Sequence, residues 1–442
     1  MRGWDELSKI HDAIKRRLLV IGLDGTPHSF LRKEIDKGSL PNLANLFSTG
    51  TLARMESEIP TISSVAWASF MTGVNPGEHG IFGFTDRKPA SYDLFFPNYN
   101  DLKVEPVWER ISRDGGRCCV MNVPSTYPAK PLNGILVSGF VAPNLERAVY
   151  PAEAYHYLSK SGYRIDVDAG KARESIDLLL EDLHATLEKR REAMFHFYNQ
   201  EYWDFFMCVF TGTDRLHHFL WRHYEQADPV YKEEFLRYYR RLDEIIGEFV
   251  SMIPEETVTL MLSDHGFCGI EKEVFLNPLL AQKDFLAFTG DDPHTIADIA
   301  PAETRAYCMD PGRIYLNRIG REPAGIVQPG EVAALLEQIK AALLELRDPD
   351  TDGQIIDRVE YGSDLFSGPQ ASTGPDLVAV PRNGFDLKGR MSRQIFSPAG
   401  LLSGMHTQDD AFVFVADSSG QQAPSHIREL APLIKRVIYG KG

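Results

Sequence analysis

Short apolar runs without polar alternation recur along the chain, with helix-length segments between them. They are "RLLVIGL" (17–23), "CCVMNV" (118–123), "GILVSGF" (134–140), "WDFFMCVF" (203–210), "TVTLMLS" (257–263), "RIYLN" (313–317), "PDLVAV" (375–380) and "AFVFVAD" (411–417). Runs of this kind are strands covered on both faces. Between them the spacing changes to three and four. Leu178, Leu179, Leu183, Leu187, Met194 and Phe197 predict a helix over 173–200. Phe235, Tyr238, Leu242, Ile245 and Phe249 predict another over 230–250, and a third is expected at 330–346. "SLPNLANLFSTG" predicts a shorter helix, with Pro41 near its start and Gly50 closing it. Buried strands alternating with helices predict an α/β fold, its mostly parallel central sheet sandwiched between helix layers.

The rhythm fails between 268 and 370, where "TGDDPHT", "LRDPDTDG" and "YGSDLFSGPQAST" gather Asp, Gly, Pro and Ser. Such stretches collect over the sites of α/β sheets. The expected division is therefore an N-terminal arm (1–16), a core (17–267 and 371–442) and a smaller inserted lid or cap (268–370). The 442 residues suffice for about two to three domain-sized units. The net charge of −15 argues against a nucleic-acid scaffold or an anionic membrane surface as main partner. It leaves a small anionic substrate open, because bound metal ions reverse the sign of a site locally. The five cysteines show no CxxC spacing, which fits a reducing compartment better than a disulfide framework. The opening residues "MRGWDELSKIHDAIKRR" carry charge throughout, and no run approaches the roughly 18 apolar residues of a membrane span. The expectation is a cytoplasmic protein.

In parallel sheets, functional groups gather beyond the carboxyl ends of strands. Asp24, Asp214 and the pair Asp264–His265 stand at such ends, and His406 lies in "SGMHTQDD" just ahead of the last run. His218 follows Asp214 at i+4, on the same face of any helix that starts there. Oxygen and nitrogen donors of this kind suit Zn²⁺ or Mn²⁺. Six of them would serve two metals, set roughly 3.5–4 Å apart in two-metal phosphoryl-transfer sites. Each residue also has a structural reading. Asp24 could make a turn, Asp214 could cap a helix, His406 could be a loop histidine, and Ser63 could cap the helix suggested by Trp67 to Met71. Spacing barely separates His217 from His218. Asp264–His265 is the most specific pair, since two ionisable groups straight after a buried strand are costly unless used. Capping does not explain all of them standing at strand ends in one chain.

The blocks "LVIGLDG", "PNLANLFSTG", "PTISSVAWASFMTGVNPGEHGIFGF", "TGTDRLHHFLW", "LSDHGF" and "SGMHTQ" resemble, in order and spacing, the alkaline phosphatase superfamily. The nearest branch is that of the type I phosphodiesterase/nucleotide pyrophosphatase-like proteins. The resemblance implies an alkaline phosphatase-like sheet with an inserted region, and a nucleophile three residues after Pro60, which is Ser63. It further implies one divalent ion on Asp24, Asp264, His265 and the Ser63 oxygen, and a second on Asp214, His218 and His406. Zinc is the first expectation and manganese the second. The implied reaction is cleavage of phosphodiester or pyrophosphate bonds in a small phosphate ester, through a covalent phosphoseryl intermediate. A phosphomonoesterase, phosphonate hydrolase or phosphotransferase on the same core is the alternative, and a non-catalytic metal-binding member is another. Two positions depart from the family pattern. Its asparagines are replaced by Ala66 and Phe84, so the phosphate contact must come from elsewhere. Asn122 in "MNVPS" is one candidate, with a turn role as its alternative; the backbone N–H near Ser64, at a helix start, is the other.

Overall fold

Eight strands form one sheet in the computed structural model, which describes residues 14–416 and 423–440. In chain order they are β1 (Leu18–Leu23), β2 (Thr51–Met55), β3 (Cys118–Val123), β4 (Gly134–Ser138), β5 (Val149–Tyr150), β6 (Phe205–Phe210), β7 (Val258–Leu262) and β8 (Ala411–Val415). Across the sheet they run β2-β8-β7-β1-β6-β3-β4-β5. From β7 to β4 the neighbours are parallel. The flanking pairs β2–β8, β8–β7 and β4–β5 are antiparallel.

The helices that matter for the site are α1 (Ser63–Thr72), α2 (Val107–Arg113), α3 (Ile176–Gln200), α4 (Gly212–Glu225), α5 (Tyr231–Val250) and α6 (Leu430–Tyr439). Successive strand residues point to opposite faces, so each apolar run feeds two cores. Leu18 and Val20 of β1, with Phe205 and Met207 of β6, pack beneath α1, α2 and α6. Leu19, Ile21 and Leu23, with Phe206 and Cys208, pack against α3, α4 and α5. The two-sided burial expected of such strands is what the sheet shows.

The inserted region has a core of its own, drawn from Val274 to Met391. Strands Ala306–Met309, Arg313–Leu316, Leu377–Pro381 and Ile356–Tyr361 make an antiparallel sheet, backed by the helix Val332–Leu344. Lys272–Phe275, Phe385–Lys388 and Phe396–Pro398 make a smaller one. The cap thus reaches well past 370, and "RIYLN" and "PDLVAV" are cap strands, not members of the central sheet. An apolar run reports burial; it does not say which sheet does the burying. Of the expected arm, residues 1–13 lie outside the described residues; Lys15 and Arg16 hydrogen-bond through their N–H groups to the carbonyl of Ile438. Among the described residues no helix is long and apolar enough to cross a membrane.

Candidate metal centre

Three adjacent parallel strands set up the site. In β7, β1 and β6, Leu262 pairs with Gly22 and Leu23 with Phe210, so their carboxyl ends lie side by side. Asp264, Asp24 and Asp214 follow those ends and converge, although they lie far apart in sequence. Gly25 turns the chain after β1 at φ 65°, and its N–H donates to Asp264 Oδ1 at 3.0 Å. His406 arrives on a separate antiparallel pair, Gly266–Gly269 with Gly404–Thr407, in which it stands opposite Phe267. Helix α1 brings Ser63. One turn later Trp67 donates its indole N–H to Asp24 Oδ2 at 3.1 Å. Gly22 makes room for that ring, because a Cβ there would stand 2.7 Å from it.

All seven residues expected at the centre come together. The Ser63 hydroxyl is 3.1 Å from His265 Nε2 and 3.5 Å from Asp24 Oδ1. His265 Nε2 is 3.4 Å from Asp264 Oδ2, 3.8 Å from Asp24 Oδ1 and 3.9 Å from Asp214 Oδ1. Asp214 Oδ1 lies 3.4 Å from His218 Nε2 and 3.2 Å from His406 Nε2. His265 can join Asp214 and His406 or Asp24 and Asp264 in a ligating group. Ser63 is the first residue of α1, after Ile62, and no side chain caps that helix. Its hydroxyl faces the carboxylates instead.

The histidine tautomers can be read from their partners. A carbonyl only accepts, so a ring nitrogen against it carries the proton. His218 Nδ1 donates to the Gly404 carbonyl, His265 Nδ1 to that of Gly266 and His406 Nδ1 to that of Thr61, at 3.0, 3.0 and 3.2 Å. The neutral rings of His218 and His265 therefore present bare Nε2 lone pairs, the arrangement found in metal-binding histidines. His218 Nε2 and His406 Nε2 nevertheless face each other at 3.0 Å. Asp214 Oδ1 and Asp264 Oδ2 are buried without a hydrogen-bond partner. Acceptors crowded together and left unsatisfied are expensive unless a cation lies among them. The donor set fits divalent metal ions.

The electrostatics agree. Burial pushes Asp24 well above the usual carboxylate range, with Asp264 and Asp214 adding to the rise. Burial likewise pushes Asp264 up to about 7, against the pull of the Gly25 N–H. Burial also disfavours the charged form of Asp214, but His218, His406 and Arg215 outweigh it and hold this carboxyl well below its usual range. Burial lowers His218 to about 4 and holds His265 well below its ordinary value, so both stay neutral as ligands must.

His217, the neighbour of His218, is fully engaged elsewhere. Its Nδ1 donates to the Gly25 carbonyl at 3.0 Å, its Nε2 accepts from Tyr239 at 2.8 Å, and its ring stacks on Phe235. Asn122 needs correction as a phosphate-binding candidate. It is fully buried at φ 61°, its amide donates to the Ile165 carbonyl at 2.6 Å and its oxygen accepts from Tyr163. Its role is to tie the end of β3 to a neighbouring loop. The Ser64 hydroxyl donates to the Gly83 carbonyl at 3.0 Å. The first bonds to Ile62 come from Val65 and Ala66, so the N–H groups of Ser63 and Ser64 lie before the helical ladder. Sequence reasoning missed Arg215 and the Trp67 contact; the one available signal was a cation directly after Asp214. A cavity of about 840 Å³ opens between core and cap, lined by Thr61, Phe84, His218 and His406 below and by Arg358 and Lys388 above.

The family described as type I phosphodiesterase / nucleotide pyrophosphatase matches residues 18–408. The chain belongs to this family. Membership makes it a phosphoester hydrolase by class. No curated protein sequence matches the chain. Among solved structures, phosphonoacetate hydrolase from Sinorhizobium meliloti 1021, in complex with phosphonoformate, is similar at TM-score 0.66 and 15% identity, over 96% of each chain. An inactive variant of murine ectonucleotide pyrophosphatase / phosphodiesterase 5, in complex with AMP, is similar at TM-score 0.56 and 12% identity, over 96% of this chain and 95% of that one. The human form of the latter stands at 0.55 and 14%, over 95% and 94%. At these identities the likeness is one of fold: a large, mostly parallel sheet between helices, as in alkaline phosphatase-like proteins.

Proposed function

We propose that this family member cleaves phosphodiester or pyrophosphate bonds of nucleotide type through a phosphoseryl intermediate on Ser63. The observation that carries the reading is the Ser63 hydroxyl at the start of α1, 3.1 Å from His265 Nε2 and beside the buried carboxylates. Asp24, Asp264 and His265 would hold one divalent ion and Asp214, His218 and His406 the other, with zinc ahead of manganese. When bound, these ions supply the positive charge that makes the Ser63 hydroxyl acidic and offsets charge on the phosphoryl oxygens. The Ser63 oxygen attacks phosphorus in line, the bond to the leaving oxygen breaks, and the Ser63 proton goes to solvent. Water then attacks the phosphoseryl group, releasing the phosphate and restoring the hydroxyl. The N–H groups of Ser63 and Ser64 face the anion at the helix start. The cavity leaves room for the second group of a diester, and the similar structures with phosphonoformate and AMP support a small phosphorus-containing substrate.

Turnover of bis-p-nitrophenyl phosphate by protein loaded with Zn²⁺ or Mn²⁺ tests this. Ser63→Ala is expected to lower kcat by at least roughly 10³-fold. Chelation is expected to abolish activity and metal to restore it, and acid-quenched protein is expected to yield a phosphorylated Ser63 peptide. Full turnover by Ser63→Ala would refute the assignment. A metal-loaded wild type inactive on all esters would point to a non-catalytic member.

A further inference from the structure

Phe84 stands where the family resemblance implies a phosphate-binding amide, and Asn122 is held in the scaffold. The structure brings another donor to the site. Contacts run around its mouth in a closed loop. From α1, the Ser64 hydroxyl holds the Gly83 carbonyl at 3.0 Å. Next along the chain, Phe84 stacks on Phe140, with centroids 5.5 Å apart and planes at 8°. The Arg215 guanidinium lies 4.3 Å from the Phe140 ring centre. Arg215 Nη1 then donates to Asp214 Oδ2 at 3.1 Å, while the other oxygen of Asp214 turns to His218 and His406. That carboxylate leads back to His265 and so to Ser63.

Arg215 is not a loose surface cation. Its Nε and Nη2 donate to Asp166 Oδ2 at 3.2 and 2.7 Å, and its side chain is only 15% exposed. Of the five N–H donors in a guanidinium, three are engaged. One on each terminal nitrogen has no partner among the described residues. A fixed fork with two open donors suits two oxygens of a tetrahedral anion.

We propose that Arg215 binds the reacting phosphoryl group, its open terminal N–H groups taking non-bridging oxygens in the place the missing amide leaves vacant. The inference rests on the Ser63 reading for where the phosphorus sits. It also refines the substrate class. A permanent cation at that position favours a reacting phosphorus with two negative charges, as in a monoester or phosphonate, more than a singly charged diester. The site accordingly accepts doubly charged phosphoryl groups alongside diesters.

The test compares wild type, Arg215→Ala and Arg215→Lys, all metal-loaded, in binding of inorganic phosphate by calorimetry and in kcat/KM for p-nitrophenyl phosphate and bis-p-nitrophenyl phosphate. Metal content is measured in each. Arg215→Ala is expected to keep its metal, bind phosphate at least about 10-fold more weakly, and lose roughly 10- to 10³-fold on the monoester but about 10-fold or less on the diester. Arg215→Lys, which keeps a charge for Asp214 and Asp166, is expected to fall between. Unchanged phosphate binding in Arg215→Lys and Arg215→Ala overturns the proposal, as does an equal loss on both esters. If Arg215→Ala fails to fold, Arg215→Lys decides by the same two measures. If the wild type cleaves neither ester, the Ser63 reading fails, and phosphate binding alone still judges Arg215.

Discussion

At the scale of single residues, the doublet His217–His218 shows how a helix assigns chemistry. Adjacent residues on α4 point about 100° apart, so one ring enters the site and the other the packing behind it. His218 keeps a free Nε2 beside Asp214, whereas His217 has partners on both nitrogens. His218→Ala is expected to lose metal from the Asp214 side and to lower kcat at least 10²-fold, with little change in unfolding free energy of the metal-free protein. His217→Ala is expected to retain metal but to destabilise by about 2–4 kcal/mol, through a cavity and a Tyr239 hydroxyl without its acceptor. Metal analysis and urea titration of the two variants check this. Equal metal loss in both would contradict the division of roles.

At the scale of elements, α1 must hold Ser63 still, and the underside of the helix shows how. Ser69 accepts a hydrogen bond from His79 Nε2 at 2.9 Å, because His79 Nδ1 accepts the Ile81 N–H at 3.2 Å and so carries no proton. The histidine of "NPGEHG" is thus a neutral brace between α1 and the following loop. Burial, with Arg428 nearby, lowers His79 to about 3. The folded state therefore refuses a proton that the unfolded chain takes up below its ordinary value near 6.5. The resulting stabilisation is complete above pH 6.5 and is lost progressively as pH falls towards 3, by at most about 1.4 kcal/mol per unit. His79→Gln is expected to be the less stable protein at pH 7, with the gap narrowing by pH 5. Thermal midpoints across that range check it, and a gap independent of pH would remove His79 as a source of acid sensitivity.

At the scale of the molecule, cap and core meet through a buried arginine. Arg313, on a cap strand, donates to Asp86 Oδ1, the Thr85 carbonyl and the Asp310 carbonyl at 2.6, 2.7 and 2.6 Å. Gly83 leaves space for it, since a Cβ there would fall 2.3 Å from the guanidinium. The clamped loop carries Phe84, so the cap shapes the wall of the site from a distance. Arg313→Met leaves Asp86 buried without its partner and is expected to cost about 3–5 kcal/mol, with a fall in kcat/KM as Phe84 shifts. Urea unfolding and ester kinetics measure both, and an unchanged pair would make the clamp ornamental.

These scales differ in how much the chain discloses. Apolar runs identified six of the eight strands of the central sheet, missing the largely unburied Thr51–Met55 and the two-residue Val149–Tyr150, and strand ends pointed to Asp24, Asp214, Asp264 and His265, because two-sided burial and its polar termination are local patterns. The i,i+4 spacing placed His218 with Asp214 as a possible pair for the same reason. Local pattern could not place "PDLVAV" in the cap sheet, because burial looks alike in either sheet. Nor could it separate His218 from His217 without family likeness, since their partners Gly404, Gly25 and Tyr239 lie elsewhere in the chain. Asn122 reads as available in the sequence, but its bonds to Tyr163 and Ile165, like those of Arg215 to Asp166, join residues far apart in the chain. Sequence by itself determined which groups could carry chemistry and on which kinds of element they sit. Tertiary structure alone decided which of them come together with lone pairs left free, because satisfaction of a polar group depends on partners that chain distance does not reveal.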